Sequence, residues 1–413
     1  MTRTLQYGTD KVLSINPPSD TVVFDFASSE VHPLDDPARA VTAALAEPMK
    51  YPTLAQATVP GDRVTVAVAK GVPRLDAVLP AVIEMLLDAG VVSEDITILL
   101  TAQDYSRGDR SIQAGLPPRV AALVKRAKHD PADQQSLSYL AASKENKAIY
   151  VNRHAYDADV VLPIGCVRPQ GSLGYFGEYS ALFPTFSDQT MQERFRAPDS
   201  VTSPVQRRRR QQEVDEAAWL LGSQFVLQIV PGVGDTVLHA IAGEARAVAQ
   251  RVGQLCDEAW LYRVPHLAGL VVAAIGGPPE QQTWENVAKA LSVAMAVAED
   301  DGAIVLCTDI RSKPGEALQR LIALDEESQM LRKIRRARSP DAVAAWLLVQ
   351  AMQRGQVYLL SNLDEDTVED LGLGYVSSAD EVDRLAQRCD SCILLADAHR
   401  ARIEVEGAPS EEV

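Results

Sequence analysis

The residues with the most chemical promise lie in one loop, Arg168-Pro169-Gln170-Gly171-Ser172-Leu173-Gly174-Tyr175-Phe176-Gly177-Glu178-Tyr179-Ser180-Ala181-Leu182-Phe183-Pro184. Glycines recur at 171, 174 and 177, directly after the strand-like run Asp159 to Gly165. Glycine tolerates positive φ and has no side chain, so such a loop lets the backbone come close to a ligand. Two other patterns could carry chemistry. Cys389-Asp390-Ser391-Cys392 has redox or metal spacing, but it lacks a second pair and leads into the apolar run Ile393-Leu394-Leu395. Structural thiols are the expectation there, with a redox pair as the alternative. Arg207 to Arg210 form a basic run at a helix start, followed by Glu213, Asp215 and Glu216. A solvated helix end is the plain reading and an anion site the other. The histidines are scattered, with no two at helix or hairpin spacing, so no local zinc-type site is expected.

These residues need elements to hold them. Val64 to Ala69 and Asp95 to Leu100 read as buried strands, with a helix over Ala77 to Ala89 between them that stops at Gly90. Asp159 to Gly165 and Phe225 to Val230 read as further strands, the second after a helix over Gln211 to Leu221. A long helix is expected from Ala242 to about Tyr262. The rhythm then restarts: strands at Leu270 to Ile275, Ala303 to Cys307, Val357 to Leu360 and Cys392 to Leu395. Helices alternate with them over Trp284 to Ala298, Pro314 to Leu324 and Ala342 to Gln353. This predicts two α/β domains with parallel or mixed sheets, residues 1–260 and 261–413, around an interdomain cleft. Ser187 to Arg207, polar and rich in Pro, Gln and Arg, is expected as a long surface segment over the cleft or as disorder.

Ligands of open α/β sheets sit at the carboxyl ends of strands and between domains. Four loops fit that rule: Lys70 to Arg74, Thr101 to Arg107, Cys166 to Ser180 and Gly276 to Lys289. Length and composition are those of an ordinary globular protein: 413 residues, 46% hydrophobic and 23% charged. The net charge of −16 argues against nucleic acid or an anionic membrane as a general partner. No run approaches the roughly 18 apolar residues of a membrane span. Met1 to Asp10 has no apolar core of the signal-peptide kind, so a cytoplasmic location is the default.

At these loops the chain resembles the nickel-pincer lactate racemase superfamily, hydroxy-acid racemases and epimerases, over nearly its full length. The resemblance is carried by Tyr7-Gly8, Ala43-Ala44-Leu45-Ala46-Glu47-Pro48, Val64 to Leu100 and Val151-Asn152-Arg153. It continues through Asp157-Ala158-Asp159-Val160-Val161, the glycine loop, Gly276-Gly277-Pro278-Pro279 and Lys289-Ala290-Leu291. It implies a lactate racemase-like fold. It also implies a nickel nucleotide tethered through a loop lysine, which takes a hydride from the substrate's α-carbon while two histidines serve its hydroxyl as acid and base.

The sequence departs from that pattern at its chemical positions. Gln170 stands where the family has its loop histidine, and Ser180 where it has the tethering lysine. Asp104 or Tyr105 falls at the first-domain histidine, and Glu193 to Arg196 supply no histidine for nickel. Glutamine does not titrate, and serine cannot form the lysine tether. The resemblance places Lys289 at the family's cleft lysine, Asn286 at a neighbouring glutamine, and Arg74 or Lys70 at the first-domain arginine. A cationic pair of this kind suits a substrate carboxylate or a phosphate. Asp104, Tyr105, Glu178 and Lys289 are thus the candidate catalytic groups, with Asp104 and Glu178 as a new acid–base pair. Lys70, Arg74, Gln170, Ser180 and Asn286 are the candidate substrate contacts, and Gly171, Gly174 and Gly177 the frame of a cofactor site.

Three functions compete on this reading. One is a racemase or epimerase on a 2-hydroxy acid or sugar acid, with any nickel nucleotide bound without its tether. The second is a paralogue that binds such an acid without turning it over. The third is a cofactor-free lyase or dehydratase. The sequence leaves oligomeric state open.

Overall fold

The computed structural model describes residues 2–24, 31–105, 115–322, 333–335 and 337–407. Arg107, at the end of the second cleft loop, and Leu324, at the end of the helix expected from Pro314, lie outside them.

Two six-stranded sheets organise the chain. The first orders its strands Val237–Glu244, Phe225–Pro231, Val160–Cys166, Val64–Val68, Ile96–Leu100 and Lys125–Lys128. All pairs are parallel except the edge pair Phe225–Pro231 with Val237–Glu244. The second sheet is wholly parallel: Gly374–Val376, Gln356–Leu360, Ala298–Cys307, Ala268–Ala274, Ser391–Leu395 and Asp20–Phe24. Inner strands such as Val64–Val68 and Ile96–Leu100 are buried at every residue. Helices cover both faces of such strands, so the strands read as continuous apolar runs rather than alternating ones. Leu75–Asp88 shows how: its buried residues Leu75, Val78, Leu79, Val82, Ile83 and Leu86 recur at helical spacing and pack on the first sheet.

Three expectations need correction. A single boundary near residue 260 does not hold, because the N-terminal strand Asp20–Phe24 pairs with Ser391–Leu395 in the second sheet. The hairpin Arg3–Tyr7 with Lys11–Ile15 also packs on that sheet's core through Leu5, Leu13 and Ile15. The long helix begins later than expected, at Ala245, because Val237–Glu244 is an antiparallel edge strand. Finally, Ser187 to Arg207 is neither a surface strap nor shapeless. It forms helices Gln189–Arg196 and Pro198–Thr202 and the start of Pro204–Leu220. Met191, Phe195 and Val201 anchor it in a core with Phe176 and Phe183.

No helix among the described residues is long and apolar enough to cross a membrane.

Candidate functional site

The four loops expected at the cleft do converge. A polar cavity takes Lys70 and Gly71 from the first, Gln103 and Asp104 from the second, and Cys166 to Pro169 from the third. Glu285, Asn286 and Lys289 come from the fourth. The parallel strands all end on this side, which brings residues from both sheets to one point. A larger chamber of about 510 Å³ shares Lys70, Gln103, Arg168, Glu285 and Lys289 with it and adds Gly174, Ser180 and Phe195.

The helix Trp284–Met295 supplies the centre. Thr283 caps it by accepting a hydrogen bond from the Asn286 N–H at 3.2 Å. Lys289 and Asn286 are buried on its cleft side. Lys289 Nζ donates to Glu285 Oε1 at 2.7 Å and to Asn286 Oδ1 at 3.1 Å. Lys70 Nζ reaches Glu285 Oε2 at 3.0 Å, and a guanidinium nitrogen of Arg168 lies 3.6 Å from Oε1. Three cations from three loops therefore meet one carboxylate.

That geometry sets the charge states. Lys289, Lys70 and Arg168 hold the Glu285 carboxyl well below the usual carboxylate range. Burial lowers Lys289 to about 7, Arg168 adds repulsion, and Glu285 offsets part of both. An amine tuned this way exchanges protons near neutral pH.

Other expected residues sit elsewhere. Asp104 lines the polar cavity, buried, with Thr101 Oγ1 donating to its Oδ2 at 2.7 Å. Tyr105 lines neither cavity: it packs against the first core, and Arg126 lies over its ring at 6.0 Å. Glu178 lines neither as well, so it does not join Asp104 as a pair in the cleft. Its carboxyl accepts from the Tyr175 hydroxyl at 3.2 Å, and burial raises its pKa. Arg74 is turned aside, pairing with Asp76 at 3.0 Å while its own N–H meets Asp235. Gln170 is exposed and lines neither cavity.

The loop glycines hold positive φ, at +85° for Gly171, +70° for Gly174 and +89° for Gly177. Gly174 alone of the three lines the chamber. Gly171 instead presents its carbonyl to Arg207 at 2.6 Å. Ser180 faces the chamber, but its Oγ accepts from the Phe176 N–H at 3.1 Å and so fixes the loop. The basic run is thus divided: Arg207 holds this loop, Arg210 is buried and pairs with Glu213 at 2.5 Å, and Arg208 and Arg209 are exposed. Cys389 and Cys392 are free thiols, and burial pushes Cys392 up to about 12.

Arg168, Glu285, His399 and Arg400 line the cavity without having been among the candidate site residues. Glu285 had a signal, since it precedes Lys289 by four residues on a helix, the favourable order for an acid–base pair. His399 and Arg400 lie just past the strand Ser391–Leu395, at the carboxyl end where the same rule that marked four loops would have marked a fifth. Among the described residues no three His, Cys, Asp or Glu side chains are grouped to hold a metal ion.

Residues 7–196 match the lactate racemase N-terminal domain. A search of curated proteins finds no match. In three dimensions the chain is similar to the lactate racemase apoprotein from Thermoanaerobacterium thermosaccharolyticum, with a TM-score of 0.79 at 16% identity, covering 98% of this chain and 100% of that one. A protein from Thermotoga maritima is similar at a TM-score of 0.67 and 14% identity, covering 91% of this chain and 100% of that one. These structural likenesses show a shared fold, and the domain match shows that residues 7–196 are similar to a lactate racemase N-terminal domain.

Proposed function

We propose that this protein binds a small organic acid, a 2-hydroxy acid or sugar acid, by its carboxylate in the cleft between the two sheets. The observation that carries the reading is the convergence of Lys70, Arg168 and Lys289 on the Glu285 carboxylate. Groups that hold one carboxylate at 2.7–3.6 Å can take a second in its place or beside it. Calorimetric titration with L-lactate, D-lactate and D-gluconate tests this. Binding by at least one, weakened tenfold or more in Lys289→Ala, is the expected result; no heat from any of them refutes it.

The residue at the tether position does not fit the lysine-tethered nickel nucleotide that the resemblance implies. Position 180 offers a hydroxyl already used by the Phe176 amide, not an amine. The chamber's histidine, His129, has both ring nitrogens engaged, Nε2 with the Ser187 carbonyl and Nδ1 with the Asn152 amide. The covalent tether is therefore lost on our reading.

A second reading is chemistry on the same acid, as an isomerase of the racemase or epimerase type or as a lyase or dehydratase. It is favoured by Lys289, whose pKa of about 7 suits a proton carrier. Chiral and mass analysis of each acid after incubation tests it. A change abolished by Lys289→Ala supports the reading, and unchanged acids leave a binding protein.

A further inference from the structure

His399 lies in the turn 396–400, which leaves the strand Ser391–Leu395 at its carboxyl end. Backbone bonds fix that turn to two neighbouring strands: Ala396 N–H donates to the Phe24 carbonyl and Ala398 N–H to the Ala274 carbonyl, each at 2.9 Å. A third, from Arg400 N–H to the Asp397 carbonyl at 2.8 Å, closes it. The imidazole is 8% exposed and lines the polar cavity beside Lys289 and Arg168. Among the described residues neither Nδ1 nor Nε2 has a hydrogen-bond partner. Buried polar side chains are normally satisfied, so one that is not, and that faces a cavity, points to a ligand.

The surroundings fix its form. Burial and the charges of Arg400, Lys289 and Arg168 hold His399 well below its usual pKa, so the ring is neutral. A neutral imidazole offers one N–H donor and one acceptor nitrogen. A second anion-binding cation is therefore not what it provides. It suits a neutral group that both gives and accepts, as an alcohol hydroxyl does.

We propose that His399 is the specificity-determining residue of the cleft, reading the hydroxyl that neighbours the bound carboxylate. The inference rests on the carboxylate-binding reading above and deepens it: the site selects hydroxy acids over plain acids. The neutral ring faces the cations that take the carboxylate, so one small molecule can meet both. An acid without the hydroxyl leaves the ring unpaired, and a site built to hydrogen-bond a hydroxyl rejects the analogue lacking it.

Calorimetry with L-lactate, D-lactate and propionate, which lacks the hydroxyl, tests it on the full chain. Wild type is expected to bind one lactate enantiomer at least tenfold tighter than propionate. His399→Ala should bring the two within about twofold, chiefly by weakening lactate. His399→Phe, which fills the space without a donor, should do the same and covers the case in which the alanine variant does not fold. Equal binding of lactate and propionate by wild type would overturn the role of His399 and leave the carboxylate site standing. Discrimination that survives in a folded His399→Ala or His399→Phe would do likewise. Failure of all three acids to bind wild type would overturn the carboxylate reading and this inference together.

Discussion

Lys289 Nζ lies 2.7 Å from Glu285 Oε1, one helical turn apart on Trp284–Met295, so the cleft's central cation is matched by a carboxylate the protein supplies itself. The pair is asymmetric. The Lys289 side chain is 8% exposed and that of Glu285 42%, so the acid is the half that faces solvent and can yield its place. On the proposed reading, an incoming acid meets a site already shaped for its head group and must displace or share a negative charge to enter.

Removing that charge should strengthen acid binding. Glu285→Gln keeps the size and hydrogen-bonding reach of the side chain but stops it competing for Lys70, Arg168 and Lys289. Charges about 4 Å apart at a protein surface interact by a few kcal/mol before screening. Regaining a fraction of that gives about fivefold to tenfold tighter D-gluconate or lactate binding, about 1–1.4 kcal/mol. Calorimetry at pH 6 is the right comparison, because losing Glu285 also removes an influence that raises the Lys289 pKa. Equal or weaker binding by a folded variant would mean that Glu285 is a partner of the ligand, not its rival.

Acid binding should weaken as pH rises from 6 to 8. Lys289 is cationic below about 7 and neutral above it, whereas the carboxylate of the ligand is ionised throughout. The same group leaves a mark on stability. The unfolded chain holds this proton up to its ordinary 10.5, the folded one releases it near 7. The cost of burying the charge is thus fully present below pH 7 and fades as pH climbs towards 10.5. Glu285 acts in the opposite sense: its lowered pKa contributes stability above the usual carboxylate range that is lost on acidification. Titrations at three pH values that show a flat affinity would remove Lys289 from the anion site.

Lys289→Met should separate stability from binding. Methionine nearly matches the lysine stem in volume and needs no counter-charge, and Lys70 and Arg168 still face Glu285. Replacing a buried, pKa-depressed charge by an apolar side chain is often neutral or stabilising, here by about 1–2 kcal/mol at pH 6. Urea unfolding reads the gain, and calorimetry the loss of acid binding. A variant that is both less stable and still able to bind acids would show that the lysine serves the fold and not the ligand.

The sequence made the sheets legible where strands were apolar from end to end, as in Val64–Val68 and Ile96–Leu100. It hid Val237–Glu244, whose alanines and terminal Gly243-Glu244 merge into the following helix, and it hid the start of Ala298–Cys307 behind Glu299, Asp300 and Asp301. The pairing of Asp20–Phe24 with Ser391–Leu395 could not be read locally, because its partners come from opposite ends of the chain. For the site, the carboxyl-end rule found four loops but not which side chains turn inward. Arg74 and Arg168 look equivalent in sequence. Arg74 starts a helix beside Asp76, which captures it, whereas Arg168 leaves a strand with no acid so near in sequence and reaches Glu285 instead.

The segment 187–207 should behave as structural wall, and Phe195 is where to test it. Its ring meets Phe176 and Phe183 edge-on, at 5.1 and 5.6 Å between centroids with interplanar angles of 87° and 88°. The guanidinium groups of Arg194 and Arg210 lie 5.5 and 5.4 Å from its centroid, and Glu213 pairs with both arginines. Phe195→Ala would empty the centre of that cluster and leave the half-buried Arg194 and the buried Arg210 without their aromatic face. Truncating a buried phenylalanine costs about 3–5 kcal/mol. A urea midpoint displaced to match, with limited proteolysis newly cutting near Arg194 and Arg196, is the expected outcome. A loss below about 1 kcal/mol would mean that the segment lies on the cleft without being built into it. The distinction bears on the larger chamber, because Phe195 and Arg196 form part of its lining while Phe183 lies buried behind. A wall that holds its shape leaves Gly174 and Ser180 fixed in the chamber that Lys289 also lines, so on the proposed reading ligands would be selected by size as well as by charge.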